Sequence, residues 1–158
     1  MTKKWIVSLL GAAAVACSAG AMAQSAVPSA YVAAEIGNTD VNGADDDIGV
    51  KFIGGYKFHP NLAADAAFGM LYDKGGVEVN TLELVAVGMF PVAPQLSVIG
   101  KLGFANIDVD PGDRDNELTW GIGVQYDLNR NLGVRGLWQR YETDSEIDWL
   151  AVGVVWHF

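Results

Sequence analysis

Read in steps of two from its end, the chain divides into two faces. Phe158, Trp156, Val154, Val152 and Leu150 alternate with His157, Val155, Gly153, Ala151 and Trp149, so a bulky apolar face opposes one that is mostly small. The same period of two, that of an extended strand, recurs upstream. Ile48, Val50, Phe52, Tyr56 and Phe58 stand against Gly49, Lys51, Ile53, Gly55 and Lys57. Phe68, Met70 and Tyr72 oppose Asp65, Ala67 and Gly69, and Leu82, Leu84 and Phe90 oppose Thr81, Glu83 and Val85. Leu118, Trp120, Ile122, Val124 and Tyr126 oppose Thr119, Gly121, Gly123 and Gln125. Strands are predicted over 30–37, 48–58, 62–72, 79–90, 96–106, 118–127, 132–141 and 147–158, with no helix-period stretch between them. Tight turns at "HPN" (59–61), "PVAPQ" (91–95) and "LNRN" (128–131) alternate with longer acidic connections at 38–47, 73–78, 107–117 and 142–146.

Two closed architectures fit this alternation: a soluble barrel that buries the bulky face, or a membrane barrel that turns it outward. Volume decides between them. A barrel of about eight strands is only wide enough for side chains to fill it. Roughly five large residues per strand, many aromatic, do not fit inside; glycine, alanine and a few long polar residues do. The bulky face therefore points outward, and an outward apolar face needs lipid. The expected fold is all-β, an eight-stranded antiparallel up-and-down transmembrane β-barrel.

Composition narrows the picture further. Residues 1–23 read as a secretory signal peptide: a charged "MTKK", an apolar "WIVSLLGAAAVA" too short to span a bilayer as a helix, and "AMA" before Gln24. "AVAC" is a poorer lipoprotein cleavage site, because the leucine such sites favour is missing. The only cysteine, Cys17, lies within this leader, so the domain at 24–158 has no disulfide. Loss of Lys3 and Lys4 with the leader leaves eight basic residues against nineteen acidic ones, a net charge of −11. Such a charge argues against nucleic acid as a partner.

The terminal "VGVVWHF" resembles the ending of the small outer-membrane β-barrels of Gram-negative bacteria, the OmpA and OmpX type. "YDLNRNLGVRG" (126–136) is similar to that family's penultimate hairpin and "YVAAEIGNTD" (31–40) to its opening strand. The resemblance spans the whole of 24–158. It implies residence in the cell outer membrane after export by a cleaved signal peptide, with both termini and the tight turns in the periplasm. It also implies that the alternating end, with Trp156 and Phe158, is read by the barrel-assembly machinery.

Phase places Glu35, Lys51, Lys57, Asp65, Glu83, Lys101 and Arg135 on the inner face, with Gln125 and Gln139 among them. Charges inside a narrow protein must pair, since isolated burial costs several kcal/mol or more. They are expected to pack as a polar core rather than to line a pore. Glu35 is expected near Lys51 on the adjacent strand, and Asp65 and Glu83 near Lys101, with Arg135 reaching in. Tyr56, Phe58, Phe90, Tyr126 and Trp156 toward the turns, and Tyr72, Trp120 and Trp138 toward the loops, suit two interfacial girdles.

Fifteen of the nineteen acidic residues fall in or beside the longer connections. Asp108, Asp110, Asp113, Asp115 and Glu117 form the densest group and a candidate divalent-cation loop, although their spacing is not that of an EF-hand. The blander reading is a solvated acidic surface, bridged by divalent ions to lipopolysaccharide phosphates. His59 and His157 both fall at the turn end, away from Ser145 in the last loop, so no nucleophile has a base and no enzyme is expected. No cofactor is implied. Lipid and lipopolysaccharide are the expected partners. An adhesin would use the outer loops, which are short and acidic with few aromatics to act as hot spots, and the sequence names no extracellular ligand.

Overall fold

In the computed structural model, which describes residues 13–14, 28–41, 46–110, 114–143 and 146–158, alternation of large and small side chains is carried by eight strands. They are β1 (Ser29–Val41), β2 (Asp47–His59), β3 (Leu62–Lys74), β4 (Val77–Ala93), β5 (Leu96–Asp110), β6 (Arg114–Asp127), β7 (Leu132–Tyr141) and β8 (Ile147–His157). Each pairs antiparallel with the next, and β1 pairs with β8 from Tyr31↔His157 to Val41↔Ile147, which closes the wall. Closure leaves no sheet edge and satisfies the backbone internally, the condition for crossing a bilayer with strands. Ala13–Ala14 form a two-residue bridge to Arg135 and Val134, pendant to the ring. The rest of the leader 1–23 lies outside the described residues.

The bulky set faces out. Phe52, Phe58, Leu82, Leu84, Phe104, Ile122 and Trp156 are exposed, as are the turn-end aromatics Tyr56, Phe90 and Tyr126. Near the loop end Trp120 meets Trp138 edge to face at 5.1 Å between centroids. The side chain of Tyr72 is outside the described residues.

The strands run farther toward the loop end than sequence composition suggests. At 107–117 pairing continues to Ile107↔Asp115 and Asp108↔Arg114, held across the hairpin by Asn106 Nδ2 to Asn116 Oδ1 at 2.9 Å and by an Arg114–Asp108 ion pair at 2.5 Å. The expected long loop is mostly strand, because polar cross-strand pairs sustain a ladder above the apolar band as well as apolar ones do. "DKGGVE" is likewise a hairpin: Lys74↔Val77 is the last pair. Gly75 and Gly76 turn it with φ of 64° and 82°, as a two-residue type I′ connection requires. At the other end Pro91 lies where β4 has outrun β3 and has only β5 beside it, a place where a residue without an N–H is tolerated.

Inside, the lumen is layered, and it is less polar than expected. Toward the turns it is filled by Tyr31, Ile53, Val87, Met89, Ile99 and Leu137 among others. Toward the loops Leu71, Ile107, Tyr141, Ile147 and Trp149 pack together. The barrel is narrow enough for apolar side chains from opposite walls to meet, so its two ends close by ordinary hydrophobic packing. The charges are confined to a belt between.

Candidate functional site

Buried polar side chains converge on this belt from seven of the eight strands. Glu35 comes from β1, Lys51 from β2, Asp65 from β3, Glu83 from β4, Lys101 from β5, Gln125 from β6, and Arg135 and Gln139 from β7, all buried. Inward phase on successive strands turns them all into the lumen. Three carboxylates meet three cations, so the belt is neutral as a whole.

It has two halves. In the first, Lys51 Nζ lies 3.0 Å from Glu83 Oε1 and donates to Tyr141 Oη at 2.7 Å and Gln139 Oε1 at 3.2 Å. Tyr141 donates to the same carboxylate. Gln139 Nε2 donates to Glu83 Oε2 at 2.9 Å and to Thr119 Oγ1 at 2.8 Å, and Thr119 passes a bond on to the Arg140 carbonyl at 3.0 Å. The Lys51 ammonium also stands 5.4 Å from the Tyr141 ring centre and 5.3 Å from that of Trp149, within range of cation–π attraction. Every charged atom of this half has a partner.

In the second half Lys101 Nζ lies 3.1 Å from Asp65 Oδ2 and 4.0 Å from Glu35 Oε1. Arg135 Nη1 lies 3.6 Å from Glu35 and 3.8 Å from Asp65, while its Nε and Nη2 donate to Gln125 Oε1 at 3.2 and 3.0 Å. Tyr31 donates to Asp65. Here two cations serve two carboxylates jointly and the distances are longer.

The structure therefore gathers six of the seven inward charges and sets Lys57 apart. That residue is half-buried near the turn end, with no ion pair among the described residues. Partner choice differs from expectation. Glu35 and Lys51 are register partners, yet Lys51 reaches across the lumen to Glu83, because a long side chain on a curved wall points along the radius. Asp65 and Glu83 do not share a cation: Lys51 pairs with Glu83, while Lys101 lies beside Asp65 as expected, together with Arg135. Tyr31, Tyr141, Thr119 and Trp149 belong to the belt although sequence reasoning did not single them out. Their inward phase, shared with Glu35, with Gln139, with Gln125 and with Gly153 respectively, was the available sign.

The acidic group is not gathered. Asp108 pairs with Arg114, and Asp115 and Glu117 stand opposite Ile107 and Ala105 on the other phase of the hairpin. Asp113 and the side chain of Asp110 lie outside the described residues. Among the described residues no three His, Cys, Asp or Glu side chains form a group able to hold a metal ion.

At the turn end Trp156 faces outward and the terminus is tied on both sides. The Phe158 N–H donates to the Ala30 carbonyl at 3.1 Å, and His157 exchanges bonds with Asn131, N–H to O at 2.9 Å and Nδ2 to O at 2.9 Å. His59 accepts the Asn61 N–H within its own turn at 3.2 Å. Ser145 lies outside the described residues.

With this geometry in hand, the family model described as outer membrane protein beta-barrel domain matches residues 9–158. No curated protein sequence matches the chain. Among solved structures, a de novo designed transmembrane β-barrel is similar with a TM-score of 0.66 and 20% identity, covering 85% of this chain and 99% of the design. The N-terminal β-barrel domain of Pseudomonas aeruginosa OprF gives 0.61 and 17%, covering 83% of this chain and 98% of its own. Ail, the attachment invasion locus protein of Yersinia pestis, solved with the heparin analogue sucrose octasulfate, gives 0.55 and 15%, covering 82% and 97%. At such identities the likeness is one of fold, that of a transmembrane β-barrel.

Proposed function

Because the chain belongs to the outer membrane protein beta-barrel domain family, we propose that it is a structural barrel of a Gram-negative outer membrane with a lumen closed by its own side chains. In this reading residues 1–23 are a signal peptide removed on export, the turn end faces the periplasm, and the acidic loop end faces outward. The observation that carries it is the neutral belt between two apolar layers: three ion-paired carboxylates and three cations cross the lumen, and Trp149, Tyr141 and Leu71 close over them without measurable exposure. A path for ions would need these pairs to separate in a medium of low dielectric, where each broken pair costs several kcal/mol.

The outer rim supports one further part of the reading. Lipopolysaccharide phosphates and acidic loops repel unless divalent cations lie between them, and fifteen carboxylates at the loop end supply that bridging surface. The same charge weighs against a polyanion receptor of the kind for which sucrose octasulfate stands in Ail, since like-charged surfaces exclude one another. Pull-down with cells displaying the protein, before and after loop replacement, checks for any other surface ligand. The reading contains no catalytic step: among the described residues the ring nitrogens of His157 make no hydrogen bond, and His59 bonds only within its own turn.

Planar-bilayer recording tests the closed lumen. Purified protein is expected to show at most small and rare conductance steps. Large, steady currents from the wild type would overturn the reading.

A further inference from the structure

The outer wall is not uniformly bulky. Where β1, β2 and β3 run side by side, Ala34, Gly54 and Ala66 face outward among the large side chains. A Cβ added at Gly54 would meet nothing within 4 Å. The result is an open trough of about 630 Å³ in the lipid-facing surface, within the ~300–1,000 Å³ of small-molecule sites. Val32, Gly54 and Ala66 form its floor. Phe52, Phe68 and Leu82 stand along its loop side as a ridge, and Val154 and Trp156 bound it on β8.

Register gives the trough a slope. Trp156, Val32, Gly54, Ala66 and Leu84 are successive partners across β8, β1, β2, β3 and β4. The same row runs on through Phe104 to Leu118, beside the loop-end hairpin. A row that starts near the turns and finishes near the loops crosses the apolar band obliquely, as strand tilt in a barrel requires. The trough is the first part of that row. It opens at the Trp156 indole in the turn-end girdle, climbs over Gly54 and Ala66, and stops against Leu84, which is 67% exposed.

In hydrocarbon only a lipid chain or another protein wall is available to fill it. No charged side chain lines the trough, and the Trp156 N–H is its only side-chain hydrogen-bonding group. The matching occupant is apolar along its length and polar at the turn end, where an indole at the membrane interface can donate. A second copy fits poorly. Two barrels touch along convex walls, and the twelve lining residues fall short of the about 20–30 a side of a stable interface. We infer that the trough seats one acyl chain of a glycerophospholipid from the turn-end leaflet. The Trp156 N–H donates to its ester carbonyl, and the Phe52 and Phe68 rings flank the chain as it climbs. Walls on two sides give this chain more close contacts than one lying on the convex wall elsewhere, so it is held rather than freely exchanged. The seat rests on the membrane reading of the wall and is independent of the closed lumen.

Mass spectrometry of the intact protein tests the seat. The protein is refolded in vesicles of phosphatidylethanolamine and lipopolysaccharide in equal amounts and then moved into detergent, with heat-modifiable migration confirming that each variant is folded. The wild type is expected to carry over a single phosphatidylethanolamine per barrel. Gly54→Leu, which fills the floor, is expected to lose it. Gly100→Leu, at a position equally open to lipid but outside the trough, is expected to keep it. A wild type without phospholipid, or with lipopolysaccharide in its place, overturns the seat. Equal retention in Gly54→Leu and Gly100→Leu marks ordinary boundary lipid and overturns it too. A wild-type dimer that Gly54→Leu dissociates gives the trough to a second copy, with the same consequence. Planar-bilayer currents bear on the lumen alone, so failure of the closed-lumen reading would show separately.

Discussion

For an individual side chain in the lumen, what matters is how many opposite charges it can call on. Among the described residues Lys51 is the only cation bonded to Glu83, whereas Asp65 is served by both Lys101 and Arg135. Lys51→Met should therefore cost more than Lys101→Met, up to the ~3–5 kcal/mol expected when a buried pair loses one member. Arg114, whose ion pair with Asp108 is largely in solvent, should lose no more than about 1 kcal/mol on change to methionine. Reversible urea unfolding in lipid vesicles measures all three. Equal losses at Lys51 and Arg114 would remove the belt as a source of stability. At this scale the sequence was only partly legible. Alternation tells which face a residue takes, so Glu35, Asp65 and Arg135 could be read as inward from the chain alone. It cannot tell which partner a flexible lysine reaches across the lumen, and it gave no special weight to Tyr31 or Tyr141, whose hydroxyls complete both halves.

Strands obey a different limit, set by how closely neighbouring backbones approach. A Cβ added at Gly123 would sit 2.2 Å from the Gly136 carbonyl oxygen and 3.0 Å from the Leu137 Cα. These are atoms of the facing β7 backbone, which cannot rotate away. Outward-facing Gly100 meets nothing within 4 Å. Gly123→Ala should thus destabilise by about 1–3 kcal/mol through overpacking, while Gly100→Ala should be neutral or gain about 0.4–1 kcal/mol by stiffening the unfolded chain. The midpoint of the same urea transition decides; a larger loss at Gly100 than at Gly123 would contradict the register. The strands themselves were legible because period two persists over the whole apolar band. Their upper ends were not. Between 107 and 117, aspartates and a Pro-Gly pair read as loop by composition, yet Ile107 and Glu117 keep the phase and Asn106–Asn116 and Asp108–Arg114 hold the hairpin together.

The whole molecule is a wall one residue thick between hydrocarbon and a packed interior, so adjacent positions on a strand live in opposite media. Ile122 is 55% exposed on the outer face, and Gly123 next to it lies against the β7 backbone. Val152 faces out between inward Ala151 and Gly153. An arginine at 152 or 122 must place its charge in lipid, at ~2–4 kcal/mol if near the midplane of the bilayer. The opposite arrangement, a soluble barrel with the large side chains inside, fails on volume: Phe52, Phe68, Leu84, Phe104 and Trp156 could not share a lumen already filled by Tyr31, Ile53, Met89 and Trp149. A lipid-soluble thiol label separates the two arrangements without relying on stability. In vesicles, cysteines at 122 and 152 should be labelled from the bilayer and those at 123 and 153 should not. Labelling at 123 and 153 with protection at 122 and 152 would invert the barrel and end the membrane reading.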